Sequence, residues 1–318
     1  MNIVALDGHA LNPGDLSWEA VERFGRLTVY PRTAPEEVCS RAEEADIILI
    51  NKVIITDEHL SRLPRLKYIG IQATGYNVVD LDAARRRGIV VCNIPAYSTA
   101  SVAQMTFALL LAITNRVEHY TRQNRQGRWS SNPDFCYWDT PLTELAGKRI
   151  GIVGLGNTGM ATARIALAFG MEVYALTSKS QEQIGGQIRK AEWDEMLRTC
   201  HVISLHCPLT PHTRHMVNRE ALQKMMPEAI LLNTGRGGLV NEAELAEALN
   251  SGRIAAYGAD VLDCEPALPD NPLLQARGAF ITPHIAWATR EARLRLMQIS
   301  AENIRAFIDG KPQNVVNP

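Results

Sequence analysis

The sequence predicts an α/β protein with two doubly wound parallel sheets, and three observations carry that prediction. Short apolar runs alternate with segments of helical spacing along most of the chain. A glycine run, Gly154-Leu-Gly-Asn-Thr-Gly159, stands mid-chain, entered from the apolar stretch Lys148-Arg-Ile-Gly-Ile-Val153 and followed by a helical pattern. The length of 318 residues leaves room for two domains of ordinary size, each burying its own core.

From the N-terminus, the apolar runs Asn2–Leu6, Leu27–Tyr30, Asp46–Ile50, Lys67–Ile71 and Ile89–Cys92 read as strands. Between them lie segments such as Thr33–Ala45 and Thr56–Leu63, with helical spacing and surface charge, so the strands cross over and pair in parallel. Ser98, Thr99 and Ser101 then offer N-cap hydroxyls to one long helix, Val102 to about Tyr120. Its apolar run predicts burial on most sides and suits it to join two domains. Gly127–Pro141, rich in turn formers and aromatics, reads as irregular chain.

The strand Lys148–Val153 leads into the glycine run, after which Ala161–Gly170 reads as helix and Met171–Leu176 as the next strand. Further strands are expected at His201–Leu205, Ala229–Asn233 and Ala255–Asp260, with helices at Trp193–Arg198, Arg219–Met225 and Glu242–Ser251. After Pro283 the helix Thr289–Ile308 closes the chain and is expected to return to the first domain. Residues 1–100 and 288–318 then form one discontinuous domain, with 101–287 inserted in it.

In such a βαβ unit the three glycines have distinct uses. Gly154 permits the tight turn, Gly156 lets backbone approach a pyrophosphate, and Gly159 lets helix pack on strand. The amides at the helix N-terminus lack intrahelical partners and face the anion with the positive end of the peptide dipoles. A dinucleotide is the ligand this arrangement suits.

Composition narrows the rest. A formal net charge of -1 gives no basic field for nucleic acid or an anionic membrane surface. The most apolar stretch, Met105–Thr114, is too short to span a bilayer. The six cysteines are scattered without a CxxC pair, and the N-terminus lacks the basic and apolar regions of a signal peptide. A cytoplasmic location is expected.

In a doubly wound sheet the loops at the strand C-termini gather the chemistry. Three segments there carry polar residues. Asn233-Thr-Gly-Arg-Gly-Gly238 places Arg236 between glycines after one strand, Asp260-Val-Leu-Asp-Cys-Glu265 places carboxylates after another, and Thr282-Pro-His284 places an imidazole after a third. The arginine fork suits a carboxylate or carbonyl oxygen, and histidine is the natural proton donor near neutral pH, with a neighbouring glutamate to fix its ring. Singly, each has a plain structural explanation: a surface ion pair, a helix cap, a hydrogen-bonded imidazole. Together, beside a dinucleotide turn, they read as an active site.

With these stretches, Ala73-Thr-Gly-Tyr-Asn77 with Asp80, Asn93-Ile-Pro95, Leu145-Ala-Gly-Lys148, His206-Cys-Pro-Leu-Thr-Pro211 and Pro283-His-Ile-Ala-Trp287 complete a pattern. The chain resembles the D-isomer-specific 2-hydroxyacid dehydrogenases over nearly its whole length. Within them, Cys136–Gly147 and Pro283–Arg290 most resemble bacterial glycerate dehydrogenases, the hydroxypyruvate reductases. The resemblance implies a Rossmann cofactor domain inserted in a discontinuous flavodoxin-like substrate domain, and a homodimer. It implies reversible hydride transfer between a nicotinamide cofactor and a small 2-keto acid, such as hydroxypyruvate or glyoxylate. A non-catalytic, NAD(H)-sensing protein related to transcriptional corepressors is the contrasting expectation, which a turnover test separates.

Roles follow by the same resemblance. His284 would give a proton to the keto oxygen, Glu265 would orient it, and Arg236 would bind the substrate carboxylate and carbonyl. Ala73, Thr74 and Gly75 would hold the carboxylate, with Thr74 also near the cofactor. Asp260 would lie near the nicotinamide, Arg236 and His284 would also meet the cofactor, Asn157 and Thr158 would meet its pyrophosphate, and Cys207, Pro208 and Thr234 would line the cofactor cleft. Two residues depart from the family pattern. Gln104, where Glu is common, reads as structural. Thr177 stands where NAD-using members carry Asp, and Thr177, Ser178 and Lys179 offer hydroxyls and a cation that would accept a 2′-phosphate. Use of both nicotinamide cofactors, with NADP(H) preferred, is expected. Cys200, His201, His206, Cys207, His212 and His215 have spacings seen in zinc sites, but an intervening strand separates them and no metal is expected.

Overall fold

A computed structural model describes residues 1–318, which divide into two compact units, Met1–Ser98 with Ala288–Pro318, and Thr99–Trp287. The first holds a parallel sheet of β1 (Asn2–Ala5), β2 (Arg26–Val29), β3 (Ile47–Ile50), β4 (Tyr68–Ile71) and β5 (Val90–Cys92), in the order β2-β1-β3-β4-β5. That order reverses between β1 and β3 in the flavodoxin manner. The central strands β3 and β4 are buried at every residue, which is why they read as unbroken apolar runs and not as alternating ones.

The C-terminal helix Arg290–Ile308 belongs to this unit, its Ile304 in the core and Phe307 with its ring 4.9 Å from that of Tyr68. Near its start, buried Arg293 donates two hydrogen bonds of 2.7 Å to the Asp15 carboxylate and others to the Leu11 and Ala288 carbonyls. The guanidinium holds the Asp15 carboxyl below its usual range.

In the second unit seven parallel strands, β6 (Arg149–Val153), β7 (Glu172–Leu176), β8 (Ile188–Lys190), β9 (Val202–Leu205), β10 (Ile230–Asn233), β11 (Ala256–Ala259) and β12 (Ala279–Ile281), take the order β12-β11-β10-β9-β6-β7-β8. This is a Rossmann order, reversing between β6 and β9. Apolar residues on both faces, among them Ile150, Ile152 and Leu232 on one and Ile203, Leu205 and Leu231 on the other, form its two core layers. The edge strand β8 escaped the sequence pattern, because only Ile188 of its three residues is buried.

The long helix expected from Val102 to Tyr120 is two helices, Thr99–Asn115 and Val117–Arg125, bent by 55° at Arg116, whose φ of 50° is left-handed. Burial explains the break. Phe107, Leu109, Leu110 and Ile113 fasten the first helix to the sheet, whereas Val117–Arg125 has no buried residue and nothing to continue the same line. No single helix is long and apolar enough to cross a membrane.

Candidate active site

The glycine turn in the second unit has the three properties its sequence suggested. Gly154 has a φ of 93°, and a Cβ there would lie 2.7 Å from the Cys207 amide nitrogen. A Cβ on Gly159 would lie 2.0 Å from the Gly154 carbonyl oxygen, so only glycine allows the helix this close. A Cβ on Gly156 would meet nothing within 4 Å. Gly156 also caps the helix Asn157–Ala168 without a side-chain bond, leaving its first amides for an anion. The turn fits a dinucleotide: tight where the fold packs, open where a pyrophosphate would lie.

Three segments leave adjacent strands at one level, since Asn233, Ala259 and Ile281 stand side by side in register. Asn233, fully buried at the end of β10, accepts from the Gly235 amide at 3.1 Å and donates to the Arg236 carbonyl at 2.9 Å. It thereby folds the turn that presents Arg236. Gly237 lets this turn lie on the Leu262–Asp263 backbone, where a Cβ would collide. The exposed Arg236 guanidinium uses one nitrogen on the Gly235 carbonyl, at 2.8 Å, and keeps further donors for a ligand.

Glu265 lies 2.5 Å from His284, Oε2 to Nδ1. A carboxylate can only accept, so Nδ1 carries the proton of this bond and Nε2 is the nitrogen left for proton transfer. The other oxygen of Glu265 accepts from the Leu262 amide at 3.1 Å. The loop is tied further by Arg214 on the Asp263 carboxylate at 3.1 Å and by the Asp263 amide on Glu242 at 2.8 Å. Asp260 is 1% exposed, its carboxylate turned into the segment that carries His284.

The remaining expected residues fall into separate places. Cys207 is half-buried, its thiol pushed up by burial and 3.8 Å from the Met216 sulfur, and Pro208 beside it is exposed. Thr234 is buried with its hydroxyl 3.0 Å from that of Thr106. Thr177 accepts from the Lys179 amide at 3.3 Å, and exposed Ser178 follows it. The Lys179 ammonium reaches the Leu155 carbonyl in the glycine turn at 2.8 Å, and Lys190 donates to the Lys179 carbonyl at 3.1 Å. Ala73, Thr74 and Gly75 belong to the first unit, after β4, where the Thr74 hydroxyl donates to the Ile94 carbonyl at 2.9 Å.

Cys200 and His206 flank β9 at opposite ends. Burial pushes the Cys200 thiol up to about 11 and the His206 imidazole down to about 4, and His206 lies 2.8 Å from the Ser204 hydroxyl. No three His, Cys, Asp or Glu side chains converge to hold a metal ion.

Sequence reasoning did not find the part played by Asn233, although an Asn closing an apolar strand two residues before a glycine is an Asx-turn signal. Nor did it find Lys190, which only the pairing of β7 with β8 brings beside Lys179. Chemically, the second unit offers a pyrophosphate cradle, a guanidinium with free donors and an imidazole set for proton transfer.

Comparison with known proteins is consistent in every direction. A family model described as D-isomer specific 2-hydroxyacid dehydrogenase, NAD binding domain, matches residues 107–286. Among curated proteins, the chain is similar to a hydroxypyruvate reductase of Blautia hydrogenotrophica, with 48% identity over 321 residues covering 100% of both chains. It is also similar to a glycerate dehydrogenase of Methylorubrum extorquens, with 41% identity over 284 residues, 89% of this chain and 88% of that one. Among solved structures, an acyclic imino acid reductase in complex with NADPH and D-Arg matches with a TM-score of 0.85 at 31% identity, covering 99% of this chain and 100% of that chain.

Proposed function

This chain belongs to the D-isomer-specific 2-hydroxyacid dehydrogenases, and from that premise we propose that it interconverts hydroxypyruvate and D-glycerate. The observation that carries the chemistry is the His284–Glu265 pair, which follows β12 and β11 in the sheet whose next strand, β10, leads to Arg236, in the unit that holds the dinucleotide turn.

When bound, a reduced nicotinamide supplies the hydride. Gly154, Gly156, Asn157, Thr158 and Gly159 would hold its pyrophosphate, and Cys207, Pro208 and Thr234 would line its cleft. Arg236 presents its fork to the substrate carboxylate and keto oxygen. His284 Nε2 gives its proton to the keto oxygen as negative charge develops there, and takes it back in the reverse direction. Glu265 keeps Nδ1 engaged, so the ring cannot turn away.

Absorbance of the nicotinamide with a panel of 2-keto acids tests this reading. The highest kcat/KM is expected for hydroxypyruvate. A higher value for glyoxylate or pyruvate would reassign the substrate, and no turnover with cofactor binding retained would make the protein a nucleotide sensor.

For the cofactor we favour NADPH, with NADH also used. Thr177 removes the carboxylate that would repel a 2′-phosphate, and Lys179 and Lys190 bring two ammonium groups to the end of β7. The assembly we infer is a homodimer. Trp129, Phe135 and Trp138 are exposed, Phe135 by 90%, and a groove of about 760 Å³ runs along Ala108, Leu111, Ala112, Val117 and Phe280. Six unpaired cysteines agree with a reducing cytosol.

A further inference from the structure

We propose that Asp260 is the positioning residue for His284, acting through the backbone of the segment that carries the imidazole and not through the cofactor. The proposal rests on the reading of His284 as the proton donor. Both oxygens of the buried carboxylate are in use: Oδ1 accepts from the Thr282 hydroxyl at 2.6 Å and the Ile285 amide at 2.9 Å, and Oδ2 accepts from the Ala286 amide at 2.7 Å. These three donors stand on both sides of His284.

Between them, His284 has a φ of 56°, a left-handed conformation that residues other than glycine adopt only under strain. Its own amide closes a tight turn onto the Thr282 carbonyl at 3.0 Å. Such a backbone persists only where its surroundings over-determine it, and the charged acceptor at the centre of the turn is what does so here. Two carboxylates thus divide the work on one imidazole. Glu265 fixes the rotation of the ring, and Asp260 fixes the point from which the ring projects.

The Asn side chain has a single acceptor oxygen, so Asp260→Asn must turn its NH2 toward one of the two amides that Asp260 accepts from. The expected result is a fall in kcat of about 10²-fold, the loss that a displacement near 1 Å brings, with NADPH Kd and keto-acid KM within about 3-fold of wild type. Thr282→Val removes one donor and should lower kcat about 10-fold, and Thr282→Ser should restore it, because the hydroxyl alone matters. The Thr282 pair carries the test should Asp260→Asn fail to fold. Unchanged kcat in Asp260→Asn, or in Thr282→Val, while His284→Ala is inactive, overturns the positioning role and leaves His284 as the donor. A rise in NADPH Kd matching the loss in kcat, read by cofactor fluorescence, overturns it in favour of direct cofactor contact. Full turnover in His284→Ala removes the underlying reading instead.

Discussion

Two histidines at strand ends of the second unit's sheet illustrate how surroundings assign opposite uses to one side chain. His284 is held at Nδ1 by a carboxylate and keeps Nε2 for exchange with a substrate. If it is the general acid, His284→Ala should lower kcat by about 10²–10⁴-fold, and in the wild type reduction should slow and oxidation quicken as the medium becomes more alkaline. Steady-state rates in both directions across pH check this; near-normal turnover in the alanine variant ends the assignment. His206, by contrast, is pushed down to about 4 by burial alone, so the folded protein keeps it neutral while the unfolded chain protonates it near the ordinary histidine value of 6.5. Its folded value lies below its unfolded one. The stability it contributes is therefore complete above about pH 6.5 and declines as pH falls toward 4. Thermal midpoints between pH 7.5 and 4.5 should drop further in wild type than in His206→Asn, and parallel curves would contradict it.

At the level of elements, two strand ends in the second unit carry a buried polar residue that shapes the loop beyond it. Asn233 does so for Arg236, and Asp260 for His284. Catalytic side chains on loops gain the rigidity of the sheet in this way. The end of β7 is built differently, with exposed Lys179 spanning to the Leu155 carbonyl and Lys190 behind it. An ammonium on a flexible stem can leave a carbonyl for a phosphate at small cost. Lys179→Ala should raise the KM for NADPH while leaving that for NADH nearly unchanged, and Thr177→Asp should turn the preference toward NADH. Wild-type kcat/KM for NADH more than about 10-fold above that for NADPH, close to 1.4 kcal/mol, would contradict this view of the loop.

For the whole molecule, the surface that suggests a dimer lies outside the long apolar helix. The helix Thr99–Asn115 is core, so its apolar run needs no second subunit to cover it. Exposed aromatic surface lies on the irregular segment beyond Val117–Arg125, where Asp139 takes bonds from Arg128 and from His119 and Gln123 of that helix, giving the chain a defined course. The arginine bonds hold the Asp139 carboxyl well below the ordinary range. Light scattering at micromolar concentration should give twice the subunit mass. Trp138→Arg together with Phe135→Glu should shift it toward one subunit, since charges placed in a desolvated contact lose hydration without a partner. A single-subunit mass in wild type would sink the proposal.

The strand and helix alternation, the glycine turn and the strand-end placement of Arg236, Glu265 and His284 were legible in the sequence, because these depend on local periodicity, on glycine at fixed offsets and on residue type at strand ends. Boundaries were legible to within a few residues for the buried strands. Where burial was slight, in β8 and beyond Asn115, the pattern had nothing to register. It took the folded chain to show that Asn233 and Asp260 bond to the segments carrying Arg236 and His284, that Glu265 meets His284 across nineteen positions, and that Lys190 lies behind Lys179. Those relations arise from the register of neighbouring strands and from hydrogen bonds between distant positions, and no local pattern of side chains encodes which partner a buried polar atom will find.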